Sequence, residues 1–511
     1  MAGRALPLGL AGLVLALMLG PVAALALWAG GLALLPADWA ALRFTLVQAV
    51  LSAGLSVALA VPVARALARR RFAGRGALIT LMGAPFLLPV MVAVLGLLAV
   101  FGRAGVINRG LEGLGLPGLS IYGLQGVVLA HLFLNLPLAV RMILQGWQAI
   151  PAERFRLAEA LDLGPQGIAR HLERPMLREV LPGAALVILS LCLTSFAVAL
   201  TLGGGPGATT VELAIWQAVR LEFDLAHAAG LGLVQVAVSA LAAAAAWVWV
   251  RPAGFGAGVG VGAMPVIPAP GGATRAGDAL AIVAAALFLL VPLGAVVLRG
   301  MPGVSELPPS VWSAAGRSLA VAVVSALLAV TVALVLALAV AQRGSLVIEF
   351  AAALPLAVSG MVLGTGLFLL LQPVVSPQAV ALPVTVGVNA ALALPFLFRL
   401  LLPEARALRS DYGRLADSLG LAGWARLRWL VLPRLARPLG FGAGIAAALS
   451  MGDLGVIALF AGEQGVTLPL MIQRLIGAYR MEAAAGAALV LVGLSLALFW
   501  ACDAGGRRAA A

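Results

Sequence analysis

Arg156-Leu-Ala-Glu-Ala-Leu161 returns as Arg414-Leu-Ala-Asp-Ser-Leu419, 258 residues further along the chain. The same spacing pairs Pro137 with Pro395, Arg170 with Arg428, Pro175 with Pro433 and Thr209 with Thr467. One register thus runs from an apolar stretch through a polar loop and a second apolar stretch into the next loop. Around these motifs the chain of 511 residues is 63% hydrophobic and only 10% charged, with a mean hydropathy of +1.10. Soluble domains carry roughly 25% charged residues, so soluble globular and disordered classes are both excluded.

A bilayer core of about 30 Å is crossed by about 20 apolar residues in a helix. Spans are expected over 7–33, 44–64, 77–101, 121–143, 180–203 and 226–250, then over 278–298, 316–340, 346–371, 380–402, 436–461 and 483–502. The first run is over-long for the apolar core of a signal peptide and is read as an uncleaved span. The expected fold is an all-α polytopic membrane protein of about 12 transmembrane helices in two homologous six-helix halves. The first half is placed at 1–250, with its core at about 42–250, and the second at 278–511, with its core at about 313–503. Between them, 251–277 is rich in Gly, Pro and Ala and is expected to be a flexible cytoplasmic linker.

All 33 basic residues are arginine. With the N-terminus inside, 25 of them fall on the cytoplasmic side and 8 on the other, so the positive-inside rule places both termini in the cytoplasm. The net charge of +13 then reads as topology and lipid headgroup contact, with no nucleic-acid partner expected. The absence of lysine excludes a Walker A phosphate loop and a Schiff-base lysine, so any ATP-driven work requires another polypeptide. Cys192 and Cys502 lie in or at the end of apolar runs and imply neither a disulfide nor a metal site.

Six spans separate the two motifs, so the repeat is parallel and both arginine-rich loops face the cytoplasm. Each loop is expected to hold a short helix. Pro151-Ala-Glu153 opens the first and Gly164-Pro165 closes it; Ser410-Asp411 is expected to cap the second and Gly420 to end it. A second amphipathic stretch follows each (Ile168 to Leu172; Trp424 to Leu432), then a proline at the membrane entrance. Duplication of the unit favours a docking surface for a two-fold or pseudo-two-fold cytoplasmic partner over a solvated hairpin.

These loops resemble the cytoplasmic loop of ATP-binding-cassette importer permeases, E-A-A-x-x-x-G-x9-I-x-L-P. Arg414-Leu415-Ala416-Asp417-Ser418-Leu419-Gly420, nine residues, then Leu430-Val431-Leu432-Pro433 fits that spacing, with arginine at the glutamate position. The first copy, Arg156-Leu157-Ala158-Glu159-Ala160-Leu161-Asp162 to Pro175, carries Asp162 where glycine is expected. Thiamine importer permeases are a nearer resemblance and look like two such halves fused. Tyr122-Gly-Leu-Gln-Gly126, Leu202-Gly-Gly-Gly-Pro-Gly-Ala-Thr-Thr-Val-Glu-Leu-Ala-Ile-Trp-Gln-Ala218, Ser450-Met-Gly-Asp-Leu-Gly455, Arg69-Arg-Arg-Phe72 and Ile476-Gly-Ala-Tyr-Arg480 are similar to that family's segments.

The resemblance implies the type I importer permease fold in the inner (plasma) membrane, a cytoplasmic ATPase dimer that binds ATP and Mg, and a periplasmic thiamine-binding protein. It implies no cofactor and no catalytic site in this chain. Coupling to the ATPase would fall to Arg156, Leu157, Ala158, Glu159, Leu161, Asp162, Gly164 and Pro175, and to Arg414, Leu415, Ala416, Asp417, Leu419, Gly420 and Pro433. The cargo expected is thiamine or its phosphates. A fused ferric-iron importer permease is the alternative within the class, and an ion-coupled secondary transporter, which would need more intramembrane carboxylates than Asp453, the alternative outside it.

Asp453 sits among apolar residues, where a carboxylate costs about 2.5–3.5 kcal/mol on insertion scales. Two readings stand for it: a pathway residue favouring a cationic thiazolium, or a structural hydrogen bond to a neighbouring helix. Gly203-Gly204-Gly205-Pro206-Gly207 could be taken for a phosphate cradle, but it is expected outside the membrane and precedes no lysine. Gly204 and Gly205 are therefore read as a turn beside the docking face expected for the binding protein, with Thr209, Glu212 and Trp216 as further pathway or docking candidates. A solvated loop is the alternative there. His131 is expected to be a satisfied core histidine rather than a metal ligand.

Overall fold

The computed structural model describes residues 2–31, 34–83, 88–249, 272–463 and 465–510. Among these every regular element is helical. The first copy of the repeat contains α1 (Ala2–Trp28), α2 (Pro36–Arg69), α3 (Arg75–Leu81), α4 (Val90–Phe101), α5 (Val106–Gly113) and α6 (Leu124–Gln148). It continues with α7 (Ala152–Ala160), α8 (Pro165–Ile168), α9 (Arg174–Leu193), α10 (Ala197–Leu202), α11 (Val211–Gln217) and α12 (Leu225–Trp249). The second copy contains α13 (Gly272–Val304), α14 (Pro309–Arg343), α15 (Leu346–Ala353), α16 (Gly360–Leu371) and α17 (Ala381–Ser418). It ends with α18 (Gly423–Arg426), α19 (Leu432–Met451), α20 (Gly455–Phe460), α21 (Leu468–Gly477) and α22 (Met481–Ala510).

Among the described residues 11 helical stretches are long and apolar enough to cross a membrane, or 12 with Leu346–Ala357 and Gly360–Leu371 taken as one broken span. The chain is an all-α, multi-pass membrane protein. The expected ninth span is not straight: it bends by 99° at Val358-Ser359, where Ser359 caps α16 by accepting from the N–H of Val362 at 3.2 Å. The expected fifth span, 180–203, stops at Leu193 and resumes as α10. The expected linker lies outside the described residues up to 271, and its last six residues form the start of α13.

The chain forms two compact units. One comprises Trp39–Thr210 and Leu241–Leu298; the other comprises Met1–Asp38, Val211–Ala240 and Arg299–Ala511. Each therefore gathers most of one sequence copy with the leading helix of the other. In the first unit Gly96 of α4 lies so close to the Pro292 carbonyl of α13 that a Cβ would come within 2.7 Å of it. In the second, Gly366 of α16 lies against the Pro21 carbonyl of α1 in the same way. These are matched crossings, in which a side-chain-free residue lets two helix backbones touch.

Candidate functional site

The two duplicated loops start differently. Ile150 precedes a proline, which disfavours helical geometry, so α6 stops and Pro151 opens α7 with φ −57° and ψ 138°. Arg409 occupies the equivalent place in the second copy, and α17 runs unbroken for 38 residues. The separate second helix expected after a Ser410-Asp411 cap is thus the last turns of α17. Ser410 is no cap: its hydroxyl donates to the Ala407 carbonyl at 2.9 Å and to Asp411 at 2.7 Å. The Arg409 guanidinium instead fastens α17 to the last carbonyls of α14 through Gln342 and Ala341.

Both loop helices end alike. Leu163 N–H donates to the Ala158 carbonyl and Asp162 N–H to Glu159; Leu421 donates to Ala416 and Gly420 to Asp417. These paired bonds form a Schellman turn, whose pivot residue is left-handed. Gly420 takes that conformation at φ 65° without a Cβ clash, whereas Asp162 is forced into it at φ 48°. The two turns place matched leucines outward. Leu157 and Leu161 are 60% and 63% exposed, and Leu415 and Leu419 54% and 65%. Ala158 and Ala416 are buried behind them. Arg156, Glu159, Arg414 and Asp417 are exposed on the same helices, and Asp417 pairs with Arg426 at 3.0 Å.

A five-residue π-helical turn follows each loop at matched positions, Ala169–Glu173 and Leu427–Val431. Arg174 and Leu432 donate five residues back to Ala169 and Leu427. The wider turn accommodates Pro175 and Pro433 in the first turn of α9 and α19, where a proline ring would collide with the carbonyl four residues earlier. Glu173, which the motif reading passed over, is buried and pairs with Arg65 at 2.6 Å and Arg69 at 3.2 Å, both on α2. Its counterpart Val431 packs with Leu408 and Leu435, flanked by Leu334, Leu338 and Tyr412. Arg434 stacks on the Tyr412 ring at 4.5 Å.

The other candidates separate. Asp453 lies in the break between α19 and α20, and its carboxylate accepts from the N–H groups of Gly455 and Val456 and from the Asn389 side chain. Asn389 also donates to the Ser450 hydroxyl at 2.9 Å. One Asp453 oxygen, Oδ2, is buried with no partner among the described residues. Glu212 is 1% exposed, which removes it from any solvated loop or docking face. It lies on α11, where burial pushes its carboxyl up to about 8 against the opposing effect of a Ser359 hydrogen bond. The same segment is tied down by Trp216, which donates to the Ala458 carbonyl at 3.3 Å, and by Arg220, which donates to Ala461 at 3.3 Å. Gly204 and Gly205 are exposed, and the Thr209 hydroxyl donates to the Gly205 carbonyl at 3.3 Å. His131 is buried with Nδ1 3.3 Å from the Ser52 hydroxyl.

No family model matches the chain. Among curated proteins, the thiamine transport system permease protein ThiP of Brucella abortus is 40% identical over 476 residues, covering 91% of this chain and 87% of that protein. ThiP of Escherichia coli is 38% identical over 474 residues, covering 90% and 88%. The molybdenum transport system permease protein ModB of Azotobacter vinelandii is 32% identical over 193 residues, which are 85% of that protein and 37% of this chain. With identity at this level running through nine-tenths of a chain built as a duplicated bundle of apolar helices, the protein belongs to the ThiP family of thiamine transport permeases.

Proposed function

We propose that this chain is the membrane-spanning permease subunit of an ATP-driven importer that carries thiamine or its phosphates from a periplasmic binding protein into the cytoplasm. The observation that carries the reading is the pair of matched loop helices, each ending in the same turn and each presenting two leucines one helical turn apart. In this reading a separate ATPase dimer receives Leu157 and Leu161 on one subunit and Leu415 and Leu419 on the other. ATP and Mg bind that partner, and this chain performs no covalent chemistry. Closure of the dimer displaces the two loops, and the shift of populations between inward-open and outward-open states moves the cargo. The chain lies in the inner membrane with both termini and both loops in the cytoplasm.

The π-helical turns and their prolines give each loop a defined attachment to the span that follows it, so a push on the leucines is passed to α9 or α19. Asp453, polar and incompletely satisfied within an apolar span, is the residue this reading assigns to a cationic cargo. The test is ATP hydrolysis by the permease and its ATPase in lipid, with and without thiamine-loaded binding protein. Stimulation by the loaded protein, lost in Leu157→Asp and Leu415→Asp, is the expected result. Stimulation by a ferric-iron-loaded protein in its place would reassign the cargo, and stimulation untouched by both substitutions would remove the loops from coupling.

A further inference from the structure

Arg43 lies near the start of α2 and Arg317 near the start of α14, and the two guanidiniums are used differently. Arg317 donates through Nε to the Val466 carbonyl at 2.8 Å, closing α14 onto the loop ahead of α21. The residue matching Val466 is Ala208, 258 positions earlier. Among the described residues of the Trp39–Thr210 unit no such bond forms. Arg43 and Ala208 instead line an open cleft of about 860 Å³, with Arg103 facing the same space. Among the described residues neither Arg43 nor Arg103 has a hydrogen-bond or ion-pair partner, and no carboxylate lines the cleft.

Its floor is the Gly-rich turn. Gly203 is right-handed (φ −58°, ψ −45°) and Gly204 left-handed (φ 76°), the succession that turns consecutive backbone N–H groups toward one point and makes an anion-holding nest. Among the described residues the N–H groups of Gly204 and Gly205 make no hydrogen bond. A Cβ on Gly204 would sit 2.9 Å from the Tyr122 Cβ, so a side chain there would crowd the cleft wall. Phe44 and Val47 continue the lining along α2 as an apolar strip, and Trp39 at the start of that helix is 58% exposed.

We propose that this cleft is a phosphate-binding site, in which the Gly203–Gly205 nest and the Arg43 and Arg103 guanidiniums hold a phosphate ester or diphosphate. Guanidinium and phosphate match in geometry and charge, and the apolar strip accepts the organic remainder of the ligand. The same chemistry is offered by an anionic phospholipid headgroup and by a soluble phosphorylated molecule. The site stands apart from the coupling loops, so its failure would leave the transport reading intact.

The full chain in nanodiscs separates the sources. In the first arm, phosphatidylcholine discs are titrated with inorganic pyrophosphate and followed calorimetrically. In the second, discs containing phosphatidylglycerol are examined by native mass spectrometry for retained lipid. Saturable binding is expected in at least one arm, weakened about tenfold or more by Arg43→Gln or Arg103→Gln and unchanged by Arg317→Gln. Gly204→Ala is expected to weaken it without altering charge. Binding in neither arm, or binding that both arginine variants retain at full strength, overturns the proposal.

Discussion

The two loops share one backbone design and differ in what anchors it. In the first copy the π-helical turn ends in Glu173, clamped between Arg65 and Arg69; in the second the same position is Val431 in an apolar cluster. The turn pivots on Asp162 in one and Gly420 in the other. Beyond the following helices the contrast recurs, with Glu212 buried where the second copy has buried Leu470. The acid stands in the first copy each time. At these three positions a shared shape thus carries an acid in the first copy and a glycine or an apolar side chain in the second. Ionic anchoring fails steeply when one partner is lost, whereas apolar anchoring fails in proportion to the volume removed.

The hardest test of that contrast is Glu173→Gln, which leaves two guanidiniums facing each other with no counter-charge. Breaking a buried pair this way costs about 4 kcal/mol, read as a loss of unfolding free energy in lipid. A loss under about 1 kcal/mol would mean the clamp is ornamental. Next comes Glu212, whose raised folded-state value means the native protein holds a proton that the unfolded chain releases. Its contribution is therefore fully present below the ordinary carboxyl value of 4.5 and lost as pH rises through about 8. Stability is expected to fall by about 3–4 kcal/mol between pH 5 and pH 8, and Glu212→Gln flattens that slope. A slope unchanged in the variant would assign the pH dependence elsewhere.

Val431→Ala removes two methyl groups from the second anchor and is expected to cost about 2 kcal/mol, less than the loss of Glu173. A larger loss than Glu173→Gln would invert the comparison. The smallest effects belong to the pivots. Gly420→Ala is expected to destabilise by about 1 kcal/mol and Asp162→Gly to stabilise by a similar amount, seen as opposite shifts in thermal midpoint. Shifts of the same sign would show that Asp162 contributes something its glycine counterpart does not.

Much of this was open to reading from residue order. Long apolar runs give the spans, and the 258-residue register places Leu157 and Leu161 opposite Leu415 and Leu419. The breaks inside spans were not legible, because hydropathy is averaged along a run and Val358-Ser359 or Gly452-Asp453 barely lowers the average. Glu173 escaped because its partners lie 104 and 108 residues away; the available signal was a carboxylate at a membrane entrance with arginines at the end of a nearby span. Residue order alone leaves Glu212 between a docking face and a solvated loop, because the acids Glu222 and Asp224 follow it closely. The aromatic and apolar residues around it, Leu213 to Trp216, were the hint that this stretch packs as a helix.

The leading helix α1 finds its neighbours in α14, α15 and α16. Those residues leave the ribosome some 300 positions later, which at about 5–20 residues per second is on the order of half a minute. During that interval α1 stands in the bilayer without most of its permanent contacts. Its apolar character, a mean hydropathy of 2.4 over its best window, makes it stable alone in lipid. The newborn protein therefore carries its first helix as a waiting piece, and severing the chain between the copies would strand it away from the helices it was made to meet.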